Sequence, residues 1–546
     1  MLNVKDKVVY QIYPRSFMDS NGDGFGDLKG VTMKLDYLQN LGVDYLWLTP
    51  FFISPQVDNG YDVADYRRID PKFGTMEDFE ELAEEAKKRG IGLMLDMVFN
   101  HTSTEHEWFQ KALAGDEGYM DYYIFKESPK DAPPTNWQSK FGGNAWKYVP
   151  ALKKWYLHLF DEKQADLNWE NPKVREELKE ILRFWKAKGV SGFRFDVVNL
   201  ISKADFENDS MGDGRSHYTD GPHVHEYLKE LVGDAGIEDM ITVGEMSSTS
   251  LDNCIRYSGA DEHELSMVFH FQHLKVDYKN GDKWSLMAPD LGELGRFFVN
   301  WQEGMQDHNA WDALFWDNHD QPRALSRFGN EGEYWEKSAK MLAGLIHLMR
   351  GTPYIYQGDE IGMTNTHFHD IHRYRDVESK NYFEILKNNG LSEEEAIAVV
   401  DERSRDNGRT PMQWSAAANA GFSTGEPWIE VVDNFDRINA ASQVEDENSI
   451  FSFYKKLISL RKSQKIISEG RISFETDLPV GAIGYTREYE GKKLCVFGNM
   501  TSEEIAVNDN GVLPAGAVLS QNDSARPDVR DAGFALRPYE LVAFWG

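Results

Sequence analysis

Residues 192–197 read GFRFDV, a short apolar run that ends beside a carboxylate. Similar runs recur along the chain: VVYQIYP at 8–14, YLWLTP at 45–50, GLMLDMVF at 92–99, MITVGE at 240–245, SMVFHF at 266–271, ALFWDNHD at 313–320 and PYIYQGDE at 353–360. These runs do not alternate strictly between apolar and polar residues, which is typical of parallel strands buried on both faces. Helical patterns lie between them, as at 75–90 and 171–189.

The position of the polar residues favours one architecture for these eight strands. Asp96, Asp196, Glu245, Asp320 and Gln357 all fall near the carboxyl ends of their runs. In a barrel those ends converge on one mouth, where active sites are built. We therefore predict an α/β fold, a (β/α)₈ TIM barrel, with a doubly wound open sheet as the main alternative.

Two spans interrupt the rhythm of strand and helix. Residues 101–170 are rich in Trp, Gly, Pro and Asn, and we predict that they form an inserted domain after strand three. The barrel then comprises residues 1–100 and 171–470. Short apolar runs beyond this point predict a C-terminal all-β domain at 471–546.

Composition excludes several classes of partner. The formal net charge of −31 opposes binding to nucleic acid or to an anionic membrane. Cys254 and Cys495 lie far apart, which is typical of a protein from a reducing compartment. The first residues, MLNVKDKVVYQIYP, lack the apolar core of a signal peptide, and the sequence has no apolar run of membrane-spanning length. We expect a cytoplasmic protein.

Three carboxylates are the catalytic candidates: Asp196, Glu245 and Asp320 follow separate predicted strands. Arg194 stands two positions before Asp196, so both side chains should lie on one face of their strand. A cation there would keep Asp196 ionised, as a nucleophile requires. The alternative is that these carboxylates only cap helices or form salt bridges. His101 and His319 lie near two of these strand ends, which argues against that alternative.

The segments DMVFNH, GFRFDVVN, TVGE and NHDQPR resemble, in order and spacing, the four signature regions of the α-amylase superfamily of glycoside hydrolases. The resemblance covers nearly the whole chain. It implies that Asp196 is a nucleophile, Glu245 a general acid/base and Asp320 a stabiliser of ring hydroxyls. A retaining enzyme needs its two catalytic carboxyls ~5–5.5 Å apart, one of them charged. Glu245 is then expected to have a raised pKa.

The resemblance also implies a clamp for a terminal sugar. Asp58 and Tyr61 in VDNGYD resemble its two contacts, and Arg405 in SRDNGRTPMQW resembles its partner, although SRDN could equally be a structural turn. His101 and His319 resemble the pair that hydrogen-bonds hydroxyls beside the cleaved bond. A closed pocket behind one glucose favours an exo-acting α-glucosidase over an endo-acting amylase.

An acidic loop, DSNGDGFGDLKG at 19–30, resembles the start of an EF-hand, but Gly30 takes the place of the terminal Glu. In superfamily relatives such a loop holds a structural divalent ion. The resemblance implies a Ca²⁺ site, and alternate oxygen ligands suit that ion. Its implied ligands are Asp19, Asn21, Asp23, the carbonyl oxygen of Phe25, and Asp27.

The segments DVVNLISK, DGRSHYTDGP, TVGEMSSTS, HLKVDYKNGDKW and YRDVESKNYF resemble the trehalose-6-phosphate hydrolase branch of the superfamily. The implied substrate is a small phosphorylated sugar, and Val197 is similar to the residue found in enzymes that cleave linkages other than α-1,4. Oligo-1,6-glucosidase or dextran glucosidase activity is the alternative. A sucrose isomerase that transfers glucose to an acceptor remains a second possibility, whereas a non-catalytic binding member would lack the three carboxylates.

A phosphorylated substrate requires cations within an acidic protein. Lys275 and Lys283 follow predicted strand six, and Arg215 and His217 follow strand four. Loops on that side of a barrel face its mouth. We predict that some of these four bind the phosphate, with Lys275 and Lys283 preferred. The alternative is that both lysines are ordinary surface residues.

Overall fold

The computed structural model describes residues 3–508, 518–520 and 533–546. The chain divides into two compact units, one formed by Trp47–Phe271 and the other by Asn3–Leu46 with Gln272–Gly546. Within the described ranges, no helix is long and apolar enough to cross a membrane.

The strands, numbered in chain order, are β1 (Val9–Ile12), β2 (Tyr45–Leu48), β3 (Phe52–Ile53), β4 (Asp65–Ile69), β5 (Gly92–Met97), β6 (His101–Ser103), β7 (Phe125–Lys126), β8 (Trp146–Val149), β9 (Lys154–Leu157), β10 (Gln164–Asp166), β11 (Gly192–Phe195), β12 (Ile241–Met246), β13 (Met267–His270), β14 (Ala313–Leu314), β15 (Thr352–Tyr356), β16 (Arg471–Phe474), β17 (Ala482–Tyr489), β18 (Lys492–Asn499), β19 (Ile505–Asn508), β20 (Val518–Ser520), β21 (Gly533–Leu536) and β22 (Leu541–Trp545).

The α-helices are α1 (Leu28–Met33), α2 (Leu35–Leu41), α3 (Met76–Lys88), α4 (Glu107–Leu113), α5 (Glu117–Met120), α6 (Pro172–Ala187), α7 (Arg215–Tyr218), α8 (Val224–Asp234), α9 (Leu251–Ser258), α10 (Leu291–Asp307), α11 (Ala324–Phe328), α12 (Trp335–His347), α13 (Val377–Asn388), α14 (Glu393–Arg403), α15 (Asp406–Arg409), α16 (Ala440–Gln443), α17 (Ile450–Ser463) and α18 (Lys465–Ser468).

The eight predicted parallel strands are all present. In the first unit, parallel strands pair in the order β13, β12, β11, β5, and in the second unit in the order β14, β15, β1. The remaining strand, β2, lies at the boundary between the units. The strand interiors are almost entirely buried, which explains why their sequences read as continuous apolar runs.

The seventh strand is shorter than its sequence predicts. The run at 313–320 was expected to end at Asp320, but β14 stops at Leu314. Directly beyond Leu314, the carbonyl oxygen of Phe315 is paired with the ring Nε2 of His273 at 2.8 Å, so a side chain and not a neighbouring strand is its partner. Asp320 therefore lies on a loop, six residues beyond the strand.

The two helices expected from capping signals begin where predicted. Thr75 and Asp78 form a reciprocal capping box at the start of α3. At α6 the side chain of Asn171 accepts a hydrogen bond from the N–H of Lys173, and Pro172 takes the first helical position.

The span after β5 has its own antiparallel structure. β6 pairs with β10, and β9 pairs with both β7 and β8. An aromatic cluster that includes Trp137, Trp146 and Tyr218 packs these strands, and Val197 joins it from the loop after β11. In the second unit, described strands after 470 form a sheet in the order β16, β17, β18, β22, β20, with β19 and β21 as a separate pair. The domain boundaries given above stay a prediction.

Candidate active site

Arg194 is the centre of a buried charge cluster in the first unit. Its Nη1 donates to Asp96 Oδ1 at 2.7 Å and to Asp196 Oδ1 at 2.6 Å, and its Nη2 contacts Glu245 Oε2. The parallel register produces this convergence, because Arg194 is opposite Asp96 on one neighbouring strand and opposite Val243 on the other. The predicted contact between Arg194 and Asp196 is present, and the same guanidinium also holds Glu245.

Burial and charge act in opposite directions on this cluster. Burial raises the pKa of Asp196, Arg194 lowers it, and Asp96 raises it again, so that the pKa lies above its ordinary value. Burial alone would lower the pKa of Arg194, but Asp96 and Asp196 outweigh burial and raise it. Arg194 thus acts in the predicted direction, although burial has the larger effect on the nucleophile candidate.

Tyr61 and Asp58 lie next to this cluster. The Tyr61 hydroxyl donates to Asp96 Oδ2 at 2.9 Å, so the ring is held by a carboxylate that Arg194 also contacts. Asp58 is buried, and its Oδ2 accepts a hydrogen bond from Gln164 Nε2 at 3.1 Å. The inserted span therefore supplies a residue that orients the clamp carboxylate.

His101 is held as a neutral ring. Burial lowers its pKa, despite the opposing effect of Asp166. Its Nε2 lies 3.0 Å from the carbonyl oxygen of Tyr61, and its Nδ1 lies 3.2 Å from Asn100 Nδ2. The side-chain Oδ1 of Asn100 accepts from the buried ammonium of Lys203 at 2.8 Å. Both ring nitrogens thus have protein partners, so His101 can bind a sugar hydroxyl only by exchanging one of these contacts.

Asp320 is the focus of charge in the second unit. Its Oδ1 accepts from Arg409 Nη2 at 2.7 Å and lies 3.4 Å from Arg405 Nη1, while its Oδ2 lies 3.2 Å from His319 Nε2. Burial raises the pKa of Asp320, but His319, Arg405 and Arg409 together lower it well below its ordinary value. Asp320 is therefore an ionised acceptor, as a group that binds sugar hydroxyls should be.

Arg405 has a carboxylate of its own. Its Nε and Nη2 donate to Asp376 Oδ1 at 2.9 and 2.6 Å. Glu378 Oε2 lies 3.4 Å from the same Nε and also accepts from Lys283 Nζ at 2.8 Å. Lys283 is consequently paired with a carboxylate, and its part in phosphate binding stays a prediction.

The other phosphate candidates lie in different surroundings. Lys275 is half-buried at the end of the 3₁₀ turn Gln272–Lys275 in the second unit. Arg215 and His217 belong to the first unit, where Arg215 pairs with Asp213 and His217 stacks on Trp137. Neither of these two shares a unit with the lysines, and phosphate binding by any of the four stays a prediction.

The acidic loop is ordered by hydrogen bonds to its own backbone. Asp19 accepts from the N–H groups of Asn21, Gly22 and Gly24 and from the Ser423 hydroxyl. Asp27 caps α1 through the N–H of Gly30. Among the described residues no three His, Cys, Asp or Glu side chains converge closely enough to hold a metal. The calcium site stays a prediction.

The structure brings the predicted residues together in two sets. The first unit holds Asp58, Tyr61, His101, Arg194, Asp196 and Glu245, and the second holds His319, Asp320, Arg405, Lys283 and Lys275. Sequence reasoning missed the residues that hold these in place: Gln164, Lys203, Asp376 and Arg409. Arg409 lies within the motif SRDNGRTPMQW and could have been found there. Lys203 and Asp376 likewise lie within the quoted segments DVVNLISK and YRDVESKNYF, whereas Gln164 had no local signal beyond a polar residue in a buried segment.

Known proteins resemble the chain over its full length. The family profile described as "Alpha amylase, catalytic domain" matches residues 11–470. The trehalose-6-phosphate hydrolase of Escherichia coli (strain K12) is 53% identical over 540 residues, covering 98% of this chain and 97% of that protein. An oligo-1,6-glucosidase of Bacillus cereus is 44% identical over 552 residues, covering 99% and 98%.

A solved structure also resembles this chain over its full length. The crystal structure of Bacillus licheniformis trehalose-6-phosphate hydrolase (TreA) matches with a TM-score of 0.95 and 49% identity, covering 100% of both chains. The predicted fold, a (β/α)₈ barrel with an insertion after strand three and a C-terminal all-β domain, is confirmed.

Proposed function

This chain belongs to the α-amylase family of glycoside hydrolases, and from that premise we propose that it is a retaining, exo-acting α-glucosidase that hydrolyses trehalose 6-phosphate to glucose and glucose 6-phosphate. The observation that carries the mechanism is that one buried guanidinium, that of Arg194, contacts both Asp196 and Glu245. Two carboxyls within reach of one side chain suit the ~5–5.5 Å spacing of a retaining enzyme, not the ~6.5–9.5 Å of an inverting one.

The first step forms a glycosyl ester. Asp196 Oδ1 is bound to Arg194, and within the described part of the chain Oδ2 has no hydrogen-bond partner, so Oδ2 is the attacking oxygen. It bonds to the anomeric carbon while the glycosidic C–O bond breaks. Glu245 gives its proton to the departing sugar oxygen.

The second step restores the enzyme. Glu245, now ionised, takes a proton from water, and the water oxygen attacks the anomeric carbon as the ester bond to Asp196 breaks. Two inversions give net retention of configuration. Asp320, ionised by its neighbours Arg405 and Arg409, accepts hydrogen bonds from ring hydroxyls.

Recognition of one terminal glucose follows from the buried groups around Asp58. Gln164 fixes this carboxylate, and Tyr61, anchored on Asp96, offers a ring for stacking under a sugar. A carboxylate that accepts from the terminal hydroxyls closes the pocket to longer chains on that side. This supports exo-action on a disaccharide.

For the phosphate we propose Lys283, assisted by Lys275. The ammonium of Lys283 is paired with Glu378, so phosphate binding requires that this ion pair open or be shared. A phosphate carries more charge than a carboxylate and so competes well for the ammonium. Glu378 also contacts Arg405, so this exchange is linked to the residues around Asp320.

A structural Ca²⁺ in the loop of residues 19–27 is part of the proposal. The donors Asp19, Asn21, Asp23 and Asp27 are oxygen ligands, which this ion prefers. Asp23 is exposed, and one of its oxygens accepts only the N–H of Phe25. Asn21 and the carbonyl oxygen of Phe25 would complete the set of oxygen ligands.

A reducing, cytoplasmic location is proposed on the cysteines. Cys254 and Cys495 are both buried and lie far apart in the sequence, which suits a compartment where disulfides do not form. The net charge of −31 supports the view that neither nucleic acid nor an anionic membrane is a partner.

One comparison of substrates tests the function. Glucose release is measured from trehalose 6-phosphate, trehalose, isomaltose and maltose, with sucrose included to detect isomerisation. We expect the highest kcat/KM on trehalose 6-phosphate. Faster hydrolysis of isomaltose would instead assign the oligo-1,6-glucosidase activity, which the similarity to the Bacillus cereus enzyme makes the second candidate. A product isomeric with sucrose would identify a transferase.

A further inference from the structure

The side chain of Asn199 joins the loop after β11 to the loop after β12. Its Nδ2 donates to the carbonyl oxygen of Ser247 at 3.0 Å, and its Oδ1 accepts the N–H of Ser247 at 2.9 Å. One fully buried amide thus pairs with both main-chain groups of a single residue. A side chain here makes the pair of hydrogen bonds that two strands would otherwise share.

This pairing brackets the two catalytic carboxylates. The main-chain ladder between the strands ends at the pair Phe195 and Gly244. Asp196 and Glu245 come next, and the link from Asn199 to Ser247 follows directly beyond them. The backbone that carries each carboxylate is therefore fixed on both sides, by the ladder before it and by Asn199 after it.

The same turns hold unusual backbone conformations. Val197, directly after Asp196, has φ of 35°, and Ser248, after Ser247, has φ of 60°. A left-handed conformation is a genuine outlier for a β-branched residue such as valine. Such strain persists only where the surroundings impose it. Asn199 supplies hydrogen bonds beside both strained residues.

The orientation of the amide is itself determined. Asn199 Nδ2 donates its second hydrogen to Asp220 Oδ1 at 3.1 Å. The main-chain N–H of Asp220 donates to the main-chain carbonyl oxygen of Asn199 at 2.9 Å. Asp220 is held in turn by the Tyr257 hydroxyl at 2.7 Å and by Asn253 Nδ2 at 2.7 Å. Both amide hydrogens have partners, so a carboxylate or a methyl group cannot take over these contacts.

We propose that Asn199 is a positioning residue that sets the spacing of Asp196 and Glu245 without touching the substrate. The inference rests on the hydrolysis proposed above. The proposal concerns the alignment of Glu245 with the oxygen of the departing sugar. It therefore predicts that loss of Asn199 lowers kcat and leaves KM nearly unchanged. A misplacement of 1 Å can cost about 100-fold in rate.

The experiment compares Asn199→Ala with a matched control, Asn253→Ala. Asn253 also donates to Asp220 but, within the described residues, makes no hydrogen bond to Ser247. The probes are aryl α-glucosides whose leaving groups range from acidic to weakly acidic phenols. For Asn199→Ala we expect kcat to fall about 100-fold on the poorest leaving group, with little change in KM. The loss should shrink on the most acidic phenol, which needs little protonation by Glu245.

The control variant defines which results would contradict the proposal. Asn253→Ala should keep the parent dependence on leaving-group acidity. The proposal is overturned if Asn199→Ala matches this control, or if it loses the same factor on every leaving group, because a general loosening of the fold would do that. Failure of the proposed function would look different, since the parent protein would then hydrolyse none of these glucosides.

A second variant keeps the test valid if Asn199→Ala does not fold. Asn199→Asp preserves shape and the acceptor for the Ser247 N–H, but an ionised carboxylate would face Asp220 and the Ser247 carbonyl. We expect low kcat at neutral pH and a gain relative to the parent as pH falls, because the protonated carboxyl can again donate. Parent-like kcat at every pH would refute the positioning role.

Discussion

Replacing Arg194 by glutamine removes the guanidinium that contacts both Asp196 and Glu245. Arg194 lowers the pKa of Asp196 against the effect of burial, so its loss must raise that pKa further. Asp196 attacks only as the carboxylate, and activity will therefore be lost at pH values where the parent is still active. The acid limb of kcat/KM should move to higher pH.

The magnitude follows from the contact. A hydrogen bond to a charged group is worth about 1.5–3 kcal/mol, and 1.36 kcal/mol corresponds to about one pH unit. The limb should thus move upward by about one to two pH units. Loss of Arg194 also raises the pKa of Asp96, and its protonation would remove a like charge beside Asp196 and offset part of the effect. Two units is therefore an upper value.

The assay is kcat/KM for an aryl α-glucoside measured from acid to alkaline pH in parent, Arg194→Gln and Arg194→Lys. Lysine keeps the charge but not the fork of donors, so its acid limb should stay near that of the parent while its rate falls. Breaking a buried ion pair costs about 3–5 kcal/mol, so folding is checked by thermal unfolding. An unchanged acid limb in folded Arg194→Gln would refute the electrostatic reasoning.

Three further predictions concern the nucleophile, the acidic loop and the phosphate. Asp196→Asn should abolish nearly all glucoside hydrolysis while the fold stays intact by circular dichroism, and activity within about tenfold of the parent would exclude it as the nucleophile. Chelation of divalent ions should lower the melting temperature more than room-temperature activity, since an ion bound only to the folded state stabilises that state; no change in either would mean that residues 19–27 hold no ion. Lys283→Ala should raise KM for trehalose 6-phosphate about ten- to hundredfold while leaving KM for an uncharged glucoside unchanged. Lys275→Ala should have the same effect more weakly. An equal rise in KM on both substrates would show that neither lysine binds the phosphate.

Strand positions could be predicted from the sequence because parallel strands buried on both faces must be apolar throughout. The end of a strand could not be predicted where a side chain distant in sequence takes its next hydrogen bond. The run at 313–320 is apolar enough for a longer strand, but the carbonyl oxygen of Phe315 is paired with the side chain of His273, 42 residues earlier in the chain. Nothing local to the run carries that information.

The candidate site likewise contains some contacts that follow from the local sequence and others that do not. Arg194 and Asp196 lie two residues apart on one strand, so their contact followed from strand geometry alone. The partner of Lys283 is Glu378, 95 positions away in sequence, and a lysine already paired with a carboxylate cannot be told from a free one without the fold. Asn199 likewise reads as an ordinary polar residue until Ser247 is placed beside it.

The arrangement around Arg194 also has a practical consequence. Three carboxyl groups, those of Asp96, Asp196 and Glu245, surround one guanidinium. When Glu245 is protonated, as the first step requires, the cluster still carries an excess of one negative formal charge, which suits the positive charge that develops on the sugar in an oxocarbenium-like transition state. The same field attracts any small ammonium ion. Amine buffers should therefore compete with the substrate, whereas sulfonate buffers without a free ammonium group should not, and affinities measured in the two kinds of buffer will differ.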